Sequence, residues 1–194
     1  MGNAPKSARA SAGDLLALAE GVRFHEVIGG EIVRKAMPSP RHGNAQGAIR
    51  ARLDPFHRRP GGKAPGGWWF LTEVEVELER GEVYRPDVAG WRRERLPALP
   101  ESTPLTLRPD WVCEILSRSN ASTDTVTKLR VYHRVAVPHY WLVDPDEETL
   151  TVLRFTPEGY VTAVAAARGE RVRAEPFEAV ELQVDSLFGG DPVE

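Results

Sequence analysis

The chain has one cysteine, two methionines and no apolar run long enough to cross a bilayer. A single cysteine excludes an internal disulfide and any zinc site built on several thiolates. Cys113 lies in the apolar run "WVCEILS", where a small buried thiol is the ordinary reading and a nucleophile the rare one. Without about 18 consecutive apolar residues there is no transmembrane helix. The opening "MGNAPKSARASAGDLLALAEG" lacks the apolar centre of a secretion signal and has Lys6 where a myristoylation site needs Ser or Thr. The expected location is the cytoplasm. An excess of positive charge is missing too: 25 Lys and Arg against 28 Asp and Glu give a net charge of −3. No global field draws this chain to nucleic acid, so a nucleic-acid enzyme of this composition needs a local basic surface.

What is present suits a folded enzyme. A length of 194 residues is enough to bury a real core and is most simply one domain, expected over residues 13–190 behind a small, polar and disordered stretch, 1–12. "GDLLALAE" reads as a short helix, and "RFHEVIGGEIVRKA" as a hairpin turning at Gly29-Gly30. A helix is expected from about His42 to Phe56, where Ala45, Ala48, Ile49 and Leu53 recur at helical spacing. "WWFLTEVEVELE" alternates apolar and acidic residues and predicts one strand over 68–79, returning through "RGE" into "VYRPDVAGW". After a proline-rich loop, "WVCEILS" predicts a buried strand, "TDTVTKLRVYHRVA" a helix capped by Ser122 or Thr123, and "HYWLVDP" another strand. Four shorter strand patterns follow, "TLTVLRF", "GYVTAVAAA", "ERVRA" and "AVELQV". The order predicts α/β or α+β architecture: a mixed central sheet flanked by helices, with an extra N-terminal hairpin and C-terminal strands.

Two carboxylates stand out. Glu114 sits between Val112 and Ile115 in a run that reads as buried on both faces. An unpaired carboxylate there costs several kcal/mol, so the site must supply a cation, a partner or a proton. A salt bridge to one of the Lys or Arg residues is the plain explanation; a metal shared with Asp87 of "RPDV" is the functional one. Asp87 alone is readable as a solvent-facing strand end, yet Pro86 marks an edge or bulge of the kind that re-aims side chains. A three-residue turn at "RGE" puts Asp87 opposite Glu75, a two-residue turn opposite Val74. Asp124, Lys128 and Tyr132 are spaced by four and share a helical face, which either points at Glu114 or forms only a surface Asp–Lys pair; both predict the same spacing. Two carboxylates, a carbonyl and water make the oxygen-rich shell that Mg²⁺ prefers.

"RPDVAGW", "WVCEILSRSNASTD" and "KLRVYHRVAVPHYWLVDP", preceded by "HEVIGGEIVRKAMPSPRHG", resemble the Uma-two family of restriction endonucleases, a branch of the PD-(D/E)xK nuclease superfamily. The resemblance spans roughly residues 14–155. It implies a four-stranded mixed sheet flanked by helices, with a divalent metal, Mg²⁺ or Mn²⁺, at the strand ends. Asp87 matches the aspartate of the PD motif. Glu114 matches the acid of the second half-motif, with the Ile115 carbonyl as a further metal ligand. The superfamily's lysine falls two residues later, where this chain has Leu116; family members supply it from the following helix, which fits Lys128. His42 and Glu26 match family positions, Glu26 being read as hairpin support. His42, Glu75, Asp124 and Tyr132 are candidates for substrate contact or support.

The expected activity is metal-dependent hydrolysis of phosphodiester bonds, in DNA first and with RNA or a small phosphodiester left open. Asp87, Glu114 and Lys128 are the catalytic candidates. Arg50, Arg52, Arg58, Arg59 and Lys63, or Arg92, Arg93 and Arg95, would grip the backbone. A homodimer would suit an enzyme cutting both strands. The competing reading keeps the fold without the catalysis, as a binding or assembly module with Trp68 and Trp69 at an interface.

Overall fold

The computed structural model describes residues 9–18, 24–58, 64–118 and 120–190. Of the stretch 1–12, residues 1–8 lie outside these, while the Ala10 N–H donates to the Gly30 carbonyl at 2.8 Å. Helix α1 (Ala12–Leu16) follows, closed by a capping box in which Ser11 and Asp14 each satisfy the other's backbone N–H. It is shorter than the pattern "GDLLALAE" suggests, and residues 19 and 20 of that pattern lie outside the described set.

Strands β1 (His25–Ile28) and β2 (Glu31–Arg34) form the expected hairpin. Gly29 and Gly30 have φ of 61° and 83°, the left-handed pair that a two-residue turn between twisted strands requires. Helix α2 (Pro40–Arg52) starts two residues before His42: the Ser39 side chain accepts the His42 N–H, and Pro40 suits the first turn, where its missing N–H costs nothing. Its last predicted turn is a separate α3 (Asp54–His57), set off by Pro55, which cannot continue an α ladder.

The strand predicted over 68–79 is two strands in two sheets: β3 (Trp68–Thr72) and β4 (Val76–Glu79), parted at Glu73, where φ is 54°. The returning chain divides likewise into β5 (Glu82–Tyr84) and β6 (Val88–Arg92). Alternation alone does not reveal such a break, because both halves keep the same period. Pro86, with no N–H to donate, sits in the crossing, and its carbonyl accepts the Glu73 N–H at 3.1 Å. Strand β7 (Trp111–Ile115) is followed by a π-helical segment, Thr123–Lys128, and α4 (Leu129–Arg134), then β8 (His139–Asp144), β9 (Thr149–Thr156) and β10 (Gly159–Ala167). Short strands β11 (Arg171–Val172) and β12 (Leu182–Gln183) pair apart from these. One sheet has the order β2-β1-β5-β4 and the main sheet β10-β9-β8-β7-β6-β3. Only β7 and β8 run parallel in the main sheet, joined by the helical crossover that a parallel pair needs. The fold is mixed α+β, with six strands in the main sheet rather than four.

The turn at Arg80-Gly81 pairs Glu79 with Glu82, but a bulge then shifts the register so that Glu77 faces Val83. With Val76 opposite Tyr84 and Thr72 opposite Val88, counting inward sets Asp87 against Glu73. Neither Glu75 nor Val74 holds that place: one extra residue moves every partner to a new position.

Trp111, Trp141, Phe70 and Phe177 meet edge-on in the main core, on the face covered by α2. Tyr132, Tyr140 and Val112 fill the opposite face beneath α4. Trp68 belongs to the first core, its ring 5.1 Å from Phe177, and is not free to form an interface. Cys113 is buried, and burial pushes its thiol well above the ordinary range. Among the described residues, no helix is long and apolar enough to cross a membrane.

Candidate active site

Val88 pairs with Cys113, so the next pair outward along β6 and β7 is Asp87 and Glu114. Directly opposed residues of an antiparallel pair share a face. The Asp87 N–H donates to Glu114 Oε2 at 3.3 Å, and the Ile115 N–H donates to Asp87 Oδ2 at 2.7 Å. Both acids are almost wholly enclosed, with 2% and 1% exposure. Ile115 brings its backbone to the pair while its side chain stays in the core.

Lys128 reaches this pair from the crossover. Its Nζ lies 3.1 Å from Glu114 Oε1, 3.0 Å from Glu26 Oε1 and 3.3 Å from Asp124 Oδ1. Three hydrogens thus meet three carboxylates. The Tyr132 hydroxyl donates to the same Glu114 Oε1 at 2.8 Å. Asp124, Lys128 and Tyr132 therefore share one face, although Asp124 and Lys128 lie in a π-helical segment, a wider winding that recurs at functional sites. Ser122 is already helical and makes no side-chain cap, so neither expected capping residue starts this helix, which begins before them. Glu26 does more than support the hairpin: Oε1 accepts the Arg85 N–H at 2.8 Å and also faces Lys128.

A second buried lysine flanks Asp87. Lys35 Nζ lies 2.8 Å from Asp87 Oδ1, 2.7 Å from Glu73 Oε2 and 2.6 Å from the Arg85 carbonyl. His42 Nε2 stands 3.3 Å from Asp87 Oδ1, off the line of a hydrogen bond and without another partner. Gln46 donates to the Asp87 carbonyl at 2.8 Å. Ligand atoms of His42, Glu73 and Asp87 all lie within 4.8 Å of one another. Glu75 is buried away from Asp87, taking a hydrogen bond from the Thr103 hydroxyl at 3.0 Å and facing Arg85 at 3.3 Å.

Five carboxylates (Glu26, Glu73, Asp87, Glu114 and Asp124) thus face two ammonium groups. The imbalance shows in their proton affinities. Burial, reinforced by Asp124 and Asp87 against the pull of Lys128, pushes Glu114 up to about 8. Burial also raises Asp124 to about 6 and raises Glu73. Asp87 goes the other way: burial opposes its charge, but the Lys35 ammonium at 2.8 Å outweighs it and holds the carboxyl below the ordinary range. Burial works against the Lys128 ammonium as well, yet Glu114, Glu26 and Asp124 hold it well above a free lysine.

Lys35, Glu73 and Gln46 were not singled out by the sequence. Gln46 was findable, four residues after His42 on one helix face. Lys35 follows an exposed strand and carries no apolar pattern around it, and Glu73 depends on the bulge. The proposed basic grips lie elsewhere. Arg93 donates to the His57 carbonyl at 2.7 Å, Arg95 is paired with Asp110, and Arg52 donates to Ser186 at 3.0 Å. These lie at the far ends of β6 and α2, ~15 Å along the strand from Asp87. Arg59 and Lys63 fall outside the described residues. Arg41 and Arg118, by contrast, lie at the carboxylate end with side chains 72% and 92% exposed, both facing Asp146.

Comparison with known proteins bears on the fold and the family. A crystal structure titled as a putative nuclease belonging to DUF820, from Anabaena variabilis ATCC 29413, matches with a TM-score of 0.71 and 22% identity, over 92% of this chain and 97% of that one. At that identity the likeness speaks for the fold. No curated protein matches. The family model Uma2, described as "Putative restriction endonuclease", matches residues 13–185, most of the chain. With that span matched, the chain belongs to the Uma2 family.

Proposed function

We propose that the protein is a divalent-metal-dependent endonuclease that hydrolyses phosphodiester bonds, with DNA as substrate. The observation that carries this reading is the pairing of Asp87 and Glu114 across β6 and β7, with Lys128 held on Glu114. The donor set fits a divalent cation. Enclosed oxygens are what Mg²⁺ and Mn²⁺ prefer, and the cluster carries more carboxylates than its two lysines neutralise. Asp87, already held ionised, and Glu114 would hold the ion, with the backbone of Ile115 beside them. When bound, it supplies positive charge to a phosphate oxygen and makes an attacking water more acidic.

The protein's own groups do the rest. Lys128, kept as an ammonium, donates hydrogen bonds and charge rather than taking a proton. All its hydrogens are committed, so a phosphate oxygen or water must replace one carboxylate. Asp124, at 3.3 Å the longest contact, is the one to yield. The Tyr132 hydroxyl fixes Glu114 Oε1 meanwhile. Arg41 and Arg118 are the backbone grips at the correct end; exposed ion pairs such as theirs with Asp146 are weak enough to exchange for phosphate. Arg41 also lines a cleft of about 320 Å³ beside the start of α2, with Pro40, Asn44, Pro145, Glu148 and Phe188.

The test is nicking of supercoiled plasmid with Mg²⁺ or Mn²⁺ by wild type and by Asp87→Ala, Glu114→Ala and Lys128→Ala. Wild type should nick and the variants should not. Equal nicking by all four would remove the assignment.

A further inference from the structure

The Oδ1 side of Asp87 is unused by the pairing with Glu114, and a different set of donors converges there. His42 is 95% buried, yet its Nε2 makes no hydrogen bond and faces Asp87 Oδ1 at 3.3 Å. A buried ring nitrogen without a partner is uncommon, because burial forfeits its hydration. Set against a carboxylate oxygen, its lone pair is repelled unless a proton or a cation lies between. Glu73 completes a triangle with these two, all ligand atoms within 4.8 Å of one another. Three elements contribute: the first turn of α2, the β3–β4 bend and the start of β6.

We propose that His42, Glu73 and Asp87 form a second divalent-cation seat, separate from the one at Glu114 and occupied in the metal-free protein by the ammonium of Lys35. Lys35 Nζ has what a cation in that seat would have, carboxylate oxygens of Glu73 at 2.7 Å and Asp87 at 2.8 Å and a main-chain oxygen, Arg85, at 2.6 Å. It brings one positive charge where a metal brings two, and it leaves the imidazole nitrogen unsatisfied. One nitrogen and two carboxylate oxygens suit Mn²⁺ or Zn²⁺ better than Mg²⁺, which prefers oxygen alone. Entry of the ion moves the Lys35 ammonium out of the cage, so Lys35 is an internal competitor whose removal tightens binding. The inference deepens the nuclease reading and shares only Asp87 with it. Paired metals that share a carboxylate flank the attacking and leaving oxygens in other phosphoryl-transfer enzymes.

The experiment is a Mn²⁺ titration of the full chain followed by electron paramagnetic resonance, with pulsed measurement of nitrogen coupling to the bound ion. It compares wild type, His42→Gln, Glu73→Gln, Glu114→Gln and Lys35→Met, each checked for folding by circular dichroism. Wild type should bind two ions, one of them showing imidazole nitrogen coupling. His42→Gln and Glu73→Gln should lose that ion and keep the other; Glu114→Gln should do the reverse; Lys35→Met should bind the nitrogen-coupled ion more tightly. Should either His42→Gln or Glu73→Gln fail to fold, the other carries the test. Bound Mn²⁺ without nitrogen coupling, coupling that survives His42→Gln, or coupling that disappears in Glu114→Gln would overturn the second seat. Plasmid nicking abolished by Asp87→Ala would in those cases leave the nuclease reading standing. No Mn²⁺ bound by either wild type or Lys35→Met would overturn both.

Discussion

The two ends of the β6–β7 pair are built from the same residue types and treat charge in opposite ways. At one end Asp110 is a single buried carboxylate that accepts the Arg92 N–H at 2.8 Å and pairs with Arg95. Arg92 covers the Trp68 ring at 4.7 Å, and Arg93 the Trp69 ring at 3.4 Å. Asp110, Arg92, Arg93 and Arg95 each have a partner of opposite sign, a hydrogen bond or a ring to lie on, while Trp111 Nε1 and His139 Nδ1 at the same end are buried without a hydrogen bond. At the other end, among the described residues, five acids face two lysines, with the Arg85 guanidinium acting on one of them, Glu73. A cluster selected for stability alone would shed the surplus carboxylates, since burying one without compensation costs several kcal/mol. Under the function proposed above, the surplus leaves room for a cation that comes from outside.

The sharpest way to break that comparison is to neutralise one acid at each end. Glu114→Gln should lower metal-dependent cleavage by more than the ~10- to 100-fold that losing an outer hydrogen-bond partner costs a metal site. In EDTA near neutral pH it should leave the fold about as stable as wild type, because Glu114 already holds its proton there. Asp110→Asn should do the opposite, costing ~1–3 kcal/mol of stability through the unpaired Arg95 and the weakened Arg92 contact, with activity per folded molecule unchanged. Urea melts together with plasmid nicking measure both. A Glu114→Gln protein that unfolds early and a sluggish Asp110→Asn would reverse the assignment of roles.

Removing a cation should hurt more than removing an acid. Lys128→Met strands Glu26, Glu114 and Asp124 around an apolar group, and breaking a buried ion pair on one side typically costs 3–5 kcal/mol, a figure of order ~4 here. Added Mn²⁺ should restore part of that loss by charge compensation, visible as a rise in melting temperature, while cleavage stays absent. A variant as stable as wild type in EDTA would show that Lys128 is not what holds the three acids together.

How much of this was visible beforehand differs between the ends as well. Asp87, Glu114 and the spacing of Asp124, Lys128 and Tyr132 were legible because a carboxylate inside an apolar run and an i, i+4 series are local signals. The hairpin at Gly29-Gly30 and the order of strands followed from turn chemistry and alternation. Lys35 and Glu73 were hidden. One depends on a long-range approach between β2 and the β5–β6 crossing, the other on a bulge that shifts the register by one residue. Alternation in 68–79 conceals the bend at Glu73 because the chain leaves one sheet and enters another without changing its period. Composition likewise reports that basic groups are near in sequence, not that Arg93 and Arg95 are tied to the His57 carbonyl and to Asp110, at the end of β6 away from Asp87.

A smaller effect distinguishes the ends by pH. In EDTA, Glu114 is pushed up to about 8 from an unfolded value near 4.5, chiefly by burial. Below the unfolded value both states hold the proton and stability is unaffected. As pH rises toward 8 the unfolded chain ionises while the folded one keeps its proton, so the fold loses stability across that interval. Asp124, raised to about 6, acts the same way but is spent at lower pH. Burial lowers His57 and His139 from 6.5 and opposes the trend, stability rising with pH only until the unfolded histidines have lost their protons. Asp87, held low, is ionised throughout, and Lys128, held high, is charged throughout. From pH ~6.5 to ~8 the histidines offset part of this, so Glu114 is read as the difference between wild type and Glu114→Gln, which should change by at most about 2 kcal/mol. Glu114→Gln should flatten the slope and Asp110→Asn should leave it in place. Saturating Mn²⁺ should remove the slope in wild type, because a cation then compensates the charge that the proton had suppressed. A melting-temperature difference between wild type and Glu114→Gln that holds level from pH ~6.5 to ~8 in EDTA would mean that the neighbouring cations already balance the cluster, and the surplus of acid at this end of the sheet would need another explanation.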